Sequence, residues 1–389
     1  MPWYPRILAA INSALPTLAT TQATNLALLV SAILARRTCC LSALARAYPT
    51  PAQRRVAAPK HDLLHRLKRL WRFLDNDRID PLAVQTALIP HTLASLGRVR
   101  WLGLAIDWTM WDVTLPTGQR MRYQVLRIAV PLHGRSLPLL QLAYDRDHLP
   151  ADASQNQLEE RALAAVLAAL PPGVRPVILA DRGFARASLF QWLQERRADY
   201  VIRVNKGTCL TDARDVRMKL GDAGMRPGQV RWLPRVRYGL SHGRPRDLWL
   251  NVACCWRVAR RHADRRRKAP KEPCGCPLGS MATSLADAGR TVAWYWRRGW
   301  IEQSFKDSKS GFGMDAAQIR CPLRLTRLLA ALTIALSWLT LLGLPRLGLL
   351  PDGWHAHVSQ RGHASILSQA LAFLDEFHTL PAACLPSPL

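Results

Sequence analysis

Acidic residues are scarce in this chain, and that scarcity is the strongest signal in its composition. The 389 residues contain 27 Asp and Glu against 54 Lys and Arg, so the formal net charge is 54 − 27 = +27, and the sequence pI is about 10.9. An excess of this size excludes a surface that repels polyanions, and it favours association with nucleic acid or with an anionic membrane. Composition alone does not separate these two partners.

Cysteines are also few, and their spacing is not that of a secreted disulfide framework. Nine are present, and Cys39–Cys40 and Cys254–Cys255 are adjacent pairs, which is typical of a protein in a reducing cytoplasm. The start of the sequence lacks a basic segment followed by a clean apolar run, so we predict no signal peptide. We therefore expect a cytoplasmic protein.

Long apolar runs are absent except at residues 328–344 (LLAALTIALSWLTLLGL). This run is at the short limit for a membrane span, and it contains Thr333, Ser337 and Thr340. We interpret it as a buried core helix. The alternative is a basic, membrane-associated protein built on this segment.

Residues 1–95 show no strand-like alternation. Leucines recur three and four residues apart, as at Leu63, Leu67, Leu70 and Leu74, and this spacing predicts helices. We interpret the region as a helical domain that binds DNA phosphates, and the alternative is a solvated helical cap. The basic residues among and around these leucines are Arg36, Arg37, Arg54, Arg55, Lys60, Arg66, Lys68, Arg69 and Arg72.

Two short apolar runs each end at an aspartate. Residues 101–106 (WLGLAI) precede Asp107, and residues 176–180 (PVILA) precede Asp181. Such runs are typical of strands buried on both faces, and a carboxylate at the tip of such a strand is held on rigid backbone. Asp112 is a rival to Asp107 for this position.

The segments around these two runs predict an α/β, RNase-H-like core. The order of strands and helices is that of a mixed sheet with helices on both faces. We expect antiparallel neighbours of the first strand at 112–115, 123–132 and 137–144, helices at 153–170 and 185–197, and a further strand at 200–204.

Residues 208–285 have a different pattern. Short runs of alternating apolar and polar residues, separated by Gly and Pro, predict a β-rich insertion. The densest basic run in the chain, residues 260–268 (RRHADRRRK), lies within it, and we interpret this run as a solvated loop able to bind a phosphate backbone. A zinc site is an unfavoured alternative, because structural zinc usually has Cys-x2-Cys pairs. The cysteines concerned are Cys254, Cys255, Cys274 and Cys276.

Residues 295–309 (YWRRGWIEQSFKDSK) combine an apolar seam with a charged face. At about 100° per residue, one set of polar residues falls within a roughly 80° arc beside a stripe of Trp294, Ile301 and Phe305. The simplest interpretation is an amphipathic surface helix with an i,i+4 ion pair. The polar set is Tyr295, Arg298, Glu302, Lys306 and Lys309.

The spacing Tyr-x2-Arg-x3-Glu-x6-Lys in this segment resembles the signature of the DDE transposases of bacterial insertion sequences, in the insertion-sequence-four-like group. Members of that group carry two upstream aspartates at strand ends, which Asp107 and Asp181 match. The sequence Asp181-Arg182-Gly183 also resembles the usual neighbourhood of the second acid. The resemblance covers about residues 23–344, and it implies an RNase-H-like fold with a β-rich insertion between the second Asp and the Glu.

The resemblance implies a catalytic site in which Asp107, Asp181 and Glu302 hold two Mg²⁺ ions, with Mn²⁺ able to substitute. Three carboxylates suit this role, because Mg²⁺ prefers oxygen ligands and keeps several waters. The expected activity is cleavage at the ends of an insertion sequence and transfer of those ends into target DNA. The residues expected to contact DNA are Tyr295, Arg298 and Lys309, with Lys306 and Arg182 as further candidates.

The expected partners are the terminal inverted repeats and target DNA, bound by a homodimer. We expect no membrane association and a location at the bacterial nucleoid. Two other interpretations stay open: a nuclease of the same fold that does not join strands, and a non-catalytic DNA-binding remnant.

The expected domains are 1–95 (helical, DNA-binding), 96–207 (first part of the core), 208–285 (β-rich insertion), 286–345 (second part of the core, with the Glu helix) and 346–389 (C-terminal helical tail).

Overall fold

The computed structural model describes residues 3–48, 60–114, 117–226, 228–241, 243–256, 277–344 and 365–376. The chain divides into two compact units. The first consists of Met1–Arg100, Ile106–Val174 and Trp300–Leu389, and the second of Trp101–Ala105 and Arg175–Gly299.

The N-terminal part of the first unit is helical, as the leucine spacing predicts. Asp80 caps the last of these helices by accepting a hydrogen bond from the Leu82 amide, and Pro81 starts that helix, where its missing N–H is not needed. The helices are α1 (Tyr4–Ala14), α2 (Thr20–Arg36), α3 (Leu41–Ala47), α4 (Lys60–Leu74) and α5 (Pro81–Ala94).

The apolar run near the C-terminus forms a core helix, α10 (Pro322–Leu342). It is the one helix among the described residues that is long and apolar enough to cross a membrane, but 89% of its apolar window is buried inside the protein. Ser337 and Thr333 bury their hydroxyls by donating to the carbonyls of Pro138 and Leu329. Burial of this kind favours the core-helix interpretation over a membrane span. A later helix, α11 (Ile366–Glu376), packs near its end.

Three consecutive strands follow the N-terminal helices, and the second and third of them pair antiparallel. They are β1 (Trp101–Thr114), of which Trp101–Ala105 belongs to the second unit, β2 (Arg120–Leu132) and β3 (Arg135–Asp145), and α6 (Gln155–Ala168) follows them. Strands β2 and β3 are joined by a tight turn in which His133 and Gly134 both have positive φ, the geometry of a hairpin turn. Helix α6 begins with a reciprocal capping box between Ser154 and Gln157.

The prediction that the first strand ends at Asp107 is wrong, and so is a separate strand at 112–115. Strand β1 continues through Asp107 to Thr114. Beyond Asp107 burial alternates, with Trp111 and Val113 inside and Asp112 and Thr114 outside. The apolar run stops because the sheet becomes covered on one face only, while the strand itself continues.

The second unit holds the parallel part of the sheet. Strand β4 (Arg175–Ala180) is parallel both to the start of β1 and to β5 (Asp199–Val204), and α7 (Ala187–Glu195) connects it to β5. The strand at 176–180, the helix and the strand at 200–204 are therefore confirmed. Asp181 follows β4 directly and caps a short 3₁₀ turn at Arg182–Phe184.

The residues between β5 and the signature segment are rich in strands, as predicted, and the strands extend the same sheet. The added strands are β6 (Cys209–Thr211), β7 (Arg217–Lys219), β8 (Val230–Tyr238), β11 (Trp249–Trp256) and β12 (Pro277–Thr283), with a small hairpin of β9 (Leu240–Ser241) and β10 (Arg244–Pro245). The order is β3-β2-β1-β4-β5-β12-β11-β8-β6-β7, a mixed sheet with flanking helices that confirms the RNase-H-like fold. The basic run at 260–268 and Cys274 and Cys276 lie outside the described residues.

The signature segment is not one regular helix, which corrects the prediction for residues 295–309. Helix α8 (Ala288–Arg298) ends before Gly299, and α9 (Trp300–Lys306) begins after it. A π-helical turn at Asp307–Gly311 then replaces the regular helix, closed by a hydrogen bond from the Phe312 amide to the Asp307 carbonyl. Of the expected apolar stripe, Ile301 and Phe305 are buried.

Candidate active site

In the second unit, Asp181 is held by its own backbone turn. Its Oδ1 accepts a hydrogen bond of 2.8 Å from the Gly183 amide. Its Oδ2 lies 3.9 Å from Nη2 of Arg298. The Asp181 side chain is 38% exposed and that of Arg298 is 12% exposed, so a partly exposed carboxylate faces a largely buried guanidinium.

Tyr295 lies on the same helix as Arg298 and belongs to the same group of side chains. Burial raises the pKa of the Tyr295 phenol, while the charges of Arg298 and Arg203 act in the opposite direction and Asp181 adds to the increase. The phenol is therefore neutral at physiological pH and can donate or accept a hydrogen bond. The structure thus brings three of the predicted residues together in this unit: Asp181, Tyr295 and Arg298.

Arg203, which the sequence analysis did not select, is the fourth member of this group. It lies on β5 and hydrogen-bonds with Tyr295. Its guanidinium lies against Gly279 of β12, where a Cβ would stand 2.8 Å from Nε. The one signal in the sequence is a lone cation inside the apolar run YVIRV.

Arg182, the remaining candidate in this unit, lines a cavity of about 490 Å³. Arg203, Lys206, Asn205 and Trp256 share that lining. The three cations give the cavity a positive potential, which suits phosphate groups.

Helix α8 is fixed against the parallel strands by close packing. Asp287 caps its start by accepting a 2.6 Å hydrogen bond from the Arg290 amide. Trp294, next to Tyr295, lies on Gly103 of β1, where any side chain would collide with its ring. The guanidinium of Arg297 stacks on the Trp294 ring, 4.6 Å from the centroid. This packing fixes the helix turn that presents Tyr295 and Arg298.

In the first unit, Asp107 lies within β1 and Glu302 on α9. Asp107 Oδ1 accepts a 2.9 Å hydrogen bond from the Trp108 amide, and the indole of Trp108 in turn donates to Glu159 at 2.7 Å. Glu302 is exposed in the first turn of α9, between the buried residues Ile301 and Ser304. Both carboxylates are thus carried by regular elements with buried neighbours.

The two lysines of the signature segment differ in their surroundings. Lys309, within the π-helical turn, donates a 2.6 Å hydrogen bond from Nζ to the carbonyl of Met110 on β1. Lys306 is exposed. Asp112, the rival to Asp107, forms an ion pair of 2.6 Å with Arg120, so this acid already has a cationic partner.

The described residues contain no group of three or more His, Cys, Asp or Glu side chains gathered closely enough to hold a metal ion. The chemistry of Asp107, Asp181 and Glu302 nevertheless fits Mg²⁺ or Mn²⁺, because all three supply hard oxygen donors. Zinc fits the described cysteines less well. Burial raises the pKa of the Cys254 thiol, which opposes the thiolate that zinc requires, and its sulfur accepts a hydrogen bond from Ser280.

Comparison with known protein families identifies a transposase domain in this chain. A family model described as "Transposase DDE domain" matches residues 102–338, which is more than half of the chain and includes Asp107, Asp181 and Glu302. No curated protein shows a significant match to the chain.

Proposed function

This chain belongs to the transposase DDE domain family, and from that membership we propose that it is an active DNA transposase of the insertion-sequence-four-like group. The family acts on DNA and generally uses divalent metal ions. In the proposed reaction the protein cuts the 3′ ends of its own element and joins them to target DNA by cut-and-paste transposition.

The residues proposed to hold two Mg²⁺ ions are Asp107, Asp181 and Glu302. When bound, two such cations supply an activated oxygen nucleophile and a stabilised leaving oxygen. The protein's contribution is to carry each carboxylate on a rigid element. The Gly183 amide fixes Asp181, the Trp108 amide fixes Asp107, and the buried side of α9 fixes Glu302.

The observation that carries the proposal is the extent of the family match. The family model matches residues 102–338, and this range includes Asp107, Asp181 and Glu302. Within the second unit, Asp181 follows β4 directly, and its side chain is held by the Gly183 amide beside Arg298. This placement supports a catalytic role for that acid.

Phosphate binding is the role proposed for the surrounding cations. Arg298 carries its guanidinium on the packed helix α8, where a planar fork suits two phosphate oxygens. Lys309 is held by the Met110 carbonyl, and Tyr295 supplies a neutral hydroxyl. Lys306 and Arg182 are further candidates for contacts with phosphate.

Both chemical steps exchange one phosphate–oxygen bond for another. In cutting, water attacks the phosphorus, the bond to the 3′ oxygen breaks, and that oxygen takes a proton to leave as a 3′ hydroxyl. In joining, this hydroxyl loses its proton, attacks a target phosphate and releases a new 3′ hydroxyl. Because two ends must react together, we propose a homodimer on DNA, acting at the nucleoid.

The test is cleavage of labelled DNA that carries the element's own ends, followed by a joining assay with pre-cut ends. We expect Mg²⁺-dependent nicking by the wild type and a loss of at least about 10³-fold in Glu302→Gln, because the variant lacks one charged metal ligand. Glu195→Gln, at an exposed acid on α7, is the control and should cleave like the wild type.

Other outcomes separate the remaining interpretations. Nicking without joined product in Mg²⁺ or Mn²⁺ would identify a nuclease of the same fold. Binding of the ends without cleavage by either protein would identify a non-catalytic DNA-binding remnant and contradict the proposal.

A further inference from the structure

Arg127 of β2 is a charged side chain with no exposed surface. Burying a guanidinium carries a large desolvation cost, which must be offset by hydrogen bonds or by other charges. Burial lowers the pKa of Arg127 to about 9, and the charge of Asp307 acts in the opposite direction. The side chain therefore carries its charge at neutral pH, in the core of the first unit.

Most partners of this guanidinium lie on the segment that carries Glu302. Nη1 donates to Ser304 Oγ at 2.9 Å, and Nη2 donates to Ser308 Oγ at 2.6 Å. The ring of Phe305 lies 4.3 Å from the guanidinium carbon. Ser304 and Phe305 belong to α9, and Ser308 belongs to the π-helical turn.

The other side of Arg127 is tied to the sheet and to the helices beneath it. Gln141 of β3 accepts from Nε at 3.1 Å and from Nη2 at 2.5 Å. The side-chain amide of Gln141 donates to Thr333 of α10 at 2.8 Å. Its backbone N–H donates to the side-chain oxygen of Gln85 on α5, and its backbone carbonyl accepts from the side-chain amide of Gln85. Arg127 thus connects a rigid network of three elements to the signature segment.

The contacts also account for the π-helical turn. Ser304 and Ser308 both face Arg127, and Ser308 additionally donates to the Ser304 carbonyl at 2.9 Å. The wider turn that starts at Asp307 places Lys309 where its Nζ reaches the Met110 carbonyl. Arg135 holds Asp307 from the outside with an ion pair of 3.1 Å.

We propose that Arg127 is a positioning residue that fixes residues 300–311 against the sheet and thereby sets the position of Glu302 for metal binding. This inference rests on the proposed function. A well-packed apolar side chain at position 127 would stabilise the core as well as the buried charge does, or better, so the charge is explained by orientation of this segment rather than by stability.

The test compares Arg127→Lys and the double variant Ser304→Ala/Ser308→Ala with the wild type. Lysine keeps the charge but cannot bind both hydroxyls and Gln141 in one plane. The double variant removes the segment's two hydroxyl acceptors and leaves Arg127 bonded to Gln141 and in contact with Phe305. It keeps the buried charge partnered, so it provides the test if Arg127→Lys does not fold. Arg122→Lys, at a partly exposed cation on the same strand that pairs with Asp147, is the matched control.

Two measurements are made on each protein: amide hydrogen exchange of residues 300–311, with and without Mg²⁺ and end DNA, and the cleavage rate at saturating DNA. We expect exchange of this segment to rise at least tenfold and the Mg²⁺ concentration for half-maximal protection to rise about tenfold. We also expect kcat to fall about 10–100-fold, as for other outer residues of metal sites. KM for end DNA should stay within twofold.

The results distinguish this inference from the proposed function. If exchange and the Mg²⁺ midpoint match those of the wild type and of Arg122→Lys, the inference is overturned, whatever the cleavage rate. A wild type that never cleaves, together with variants whose segment exchanges faster and binds Mg²⁺ more weakly, would refute the proposed function and support the positioning role. Faster exchange with an unchanged kcat and an unchanged Mg²⁺ midpoint would mean that the contacts of Arg127 with this segment are structural only, and it would overturn the inference.

Discussion

At the scale of single residues, Trp294 packs closely on Gly103 in the second unit. A Cβ at position 103 would lie 2.7 Å from Cζ3 of the tryptophan ring and 3.4 Å from a methyl carbon of Leu179. Gly103→Ala must therefore displace the indole and, with it, the helix turn that presents Tyr295 and Arg298. We expect a loss of about 1–3 kcal/mol in the free energy of unfolding, measured by urea denaturation, as for other overpacked cores.

Gly207→Ala is the matched control for this substitution, because no heavy atom lies within 4 Å of a Cβ at that position. Its free energy of unfolding should differ from that of the wild type by less than about 0.5 kcal/mol. Equal stability of the Gly103→Ala and Gly207→Ala variants would show that α8 does not depend on this contact.

Individual residues also show how far the sequence could predict the site. Asp181 is where its apolar run and the following Gly183 place it, because local chemistry alone determines a strand followed by a tight turn. Arg203 and Arg127 each appear as one cation in an apolar strand. Sequence pattern cannot tell whether such a cation points to solvent or to a buried partner far along the chain, such as Ser304.

At the scale of elements, sequence patterns predicted the presence of helices and strands better than their ends. The rule of about 100° per residue assumes a regular helix, and the segment 295–309 is interrupted at Gly299 and by the π-helical turn. That turn depends on hydrogen bonds to Arg127 and Met110, which no local pattern contains. Strand β1 likewise passes through Asp107 and continues to Thr114 after the apolar run has ended.

The packing of α10 against α11 leads to a second prediction, at Gly343. A Cβ at this position would lie well inside van der Waals distance of the carbonyl oxygen of Ile366, which is backbone and cannot rotate away. Gly343→Ala should therefore separate α11 from α10. We expect cleavage of residues 365–376 by a non-specific protease to become at least tenfold faster, and thermal unfolding to begin at a lower temperature.

Gly311→Ala serves as the control, because a Cβ at position 311 meets no heavy atom within 4 Å. The protease should cut that variant at the wild-type rate. If Gly343→Ala is also cut at the wild-type rate, the close contact between the two helices does not hold α11 in place.

At the scale of the whole molecule, composition left nucleic acid and membrane as equal candidates for the partner of a chain with net charge +27. Two observations now favour nucleic acid. The apolar window of α10 is 89% buried, so its surface is already used inside the protein. The family match is to a transposase domain, and members of this family act on DNA.

The charge should make DNA binding strongly dependent on salt. Each phosphate neutralised by Lys or Arg releases counterions and adds about 0.9 to the slope of log K against log salt concentration. We expect a slope of at least about 5 in magnitude, so that affinity for end DNA falls about 10³-fold between 50 and 200 mM salt. Fluorescence anisotropy with labelled ends measures this slope directly.

The same measurement tests where those phosphates bind. Lys68 and Arg72 are exposed one turn apart on α4, and the double variant Lys68→Gln/Arg72→Gln should lower the slope by about 1–2 if the helical N-terminal region contacts DNA. The control removes equal charge elsewhere, at the exposed residues Arg161 and Arg196, and should leave the slope within about 0.5 of the wild-type value. An equal decrease of the slope in both double variants would mean that net charge alone drives binding. An unchanged slope in the α4 double variant would indicate that the N-terminal helices are a solvated cap.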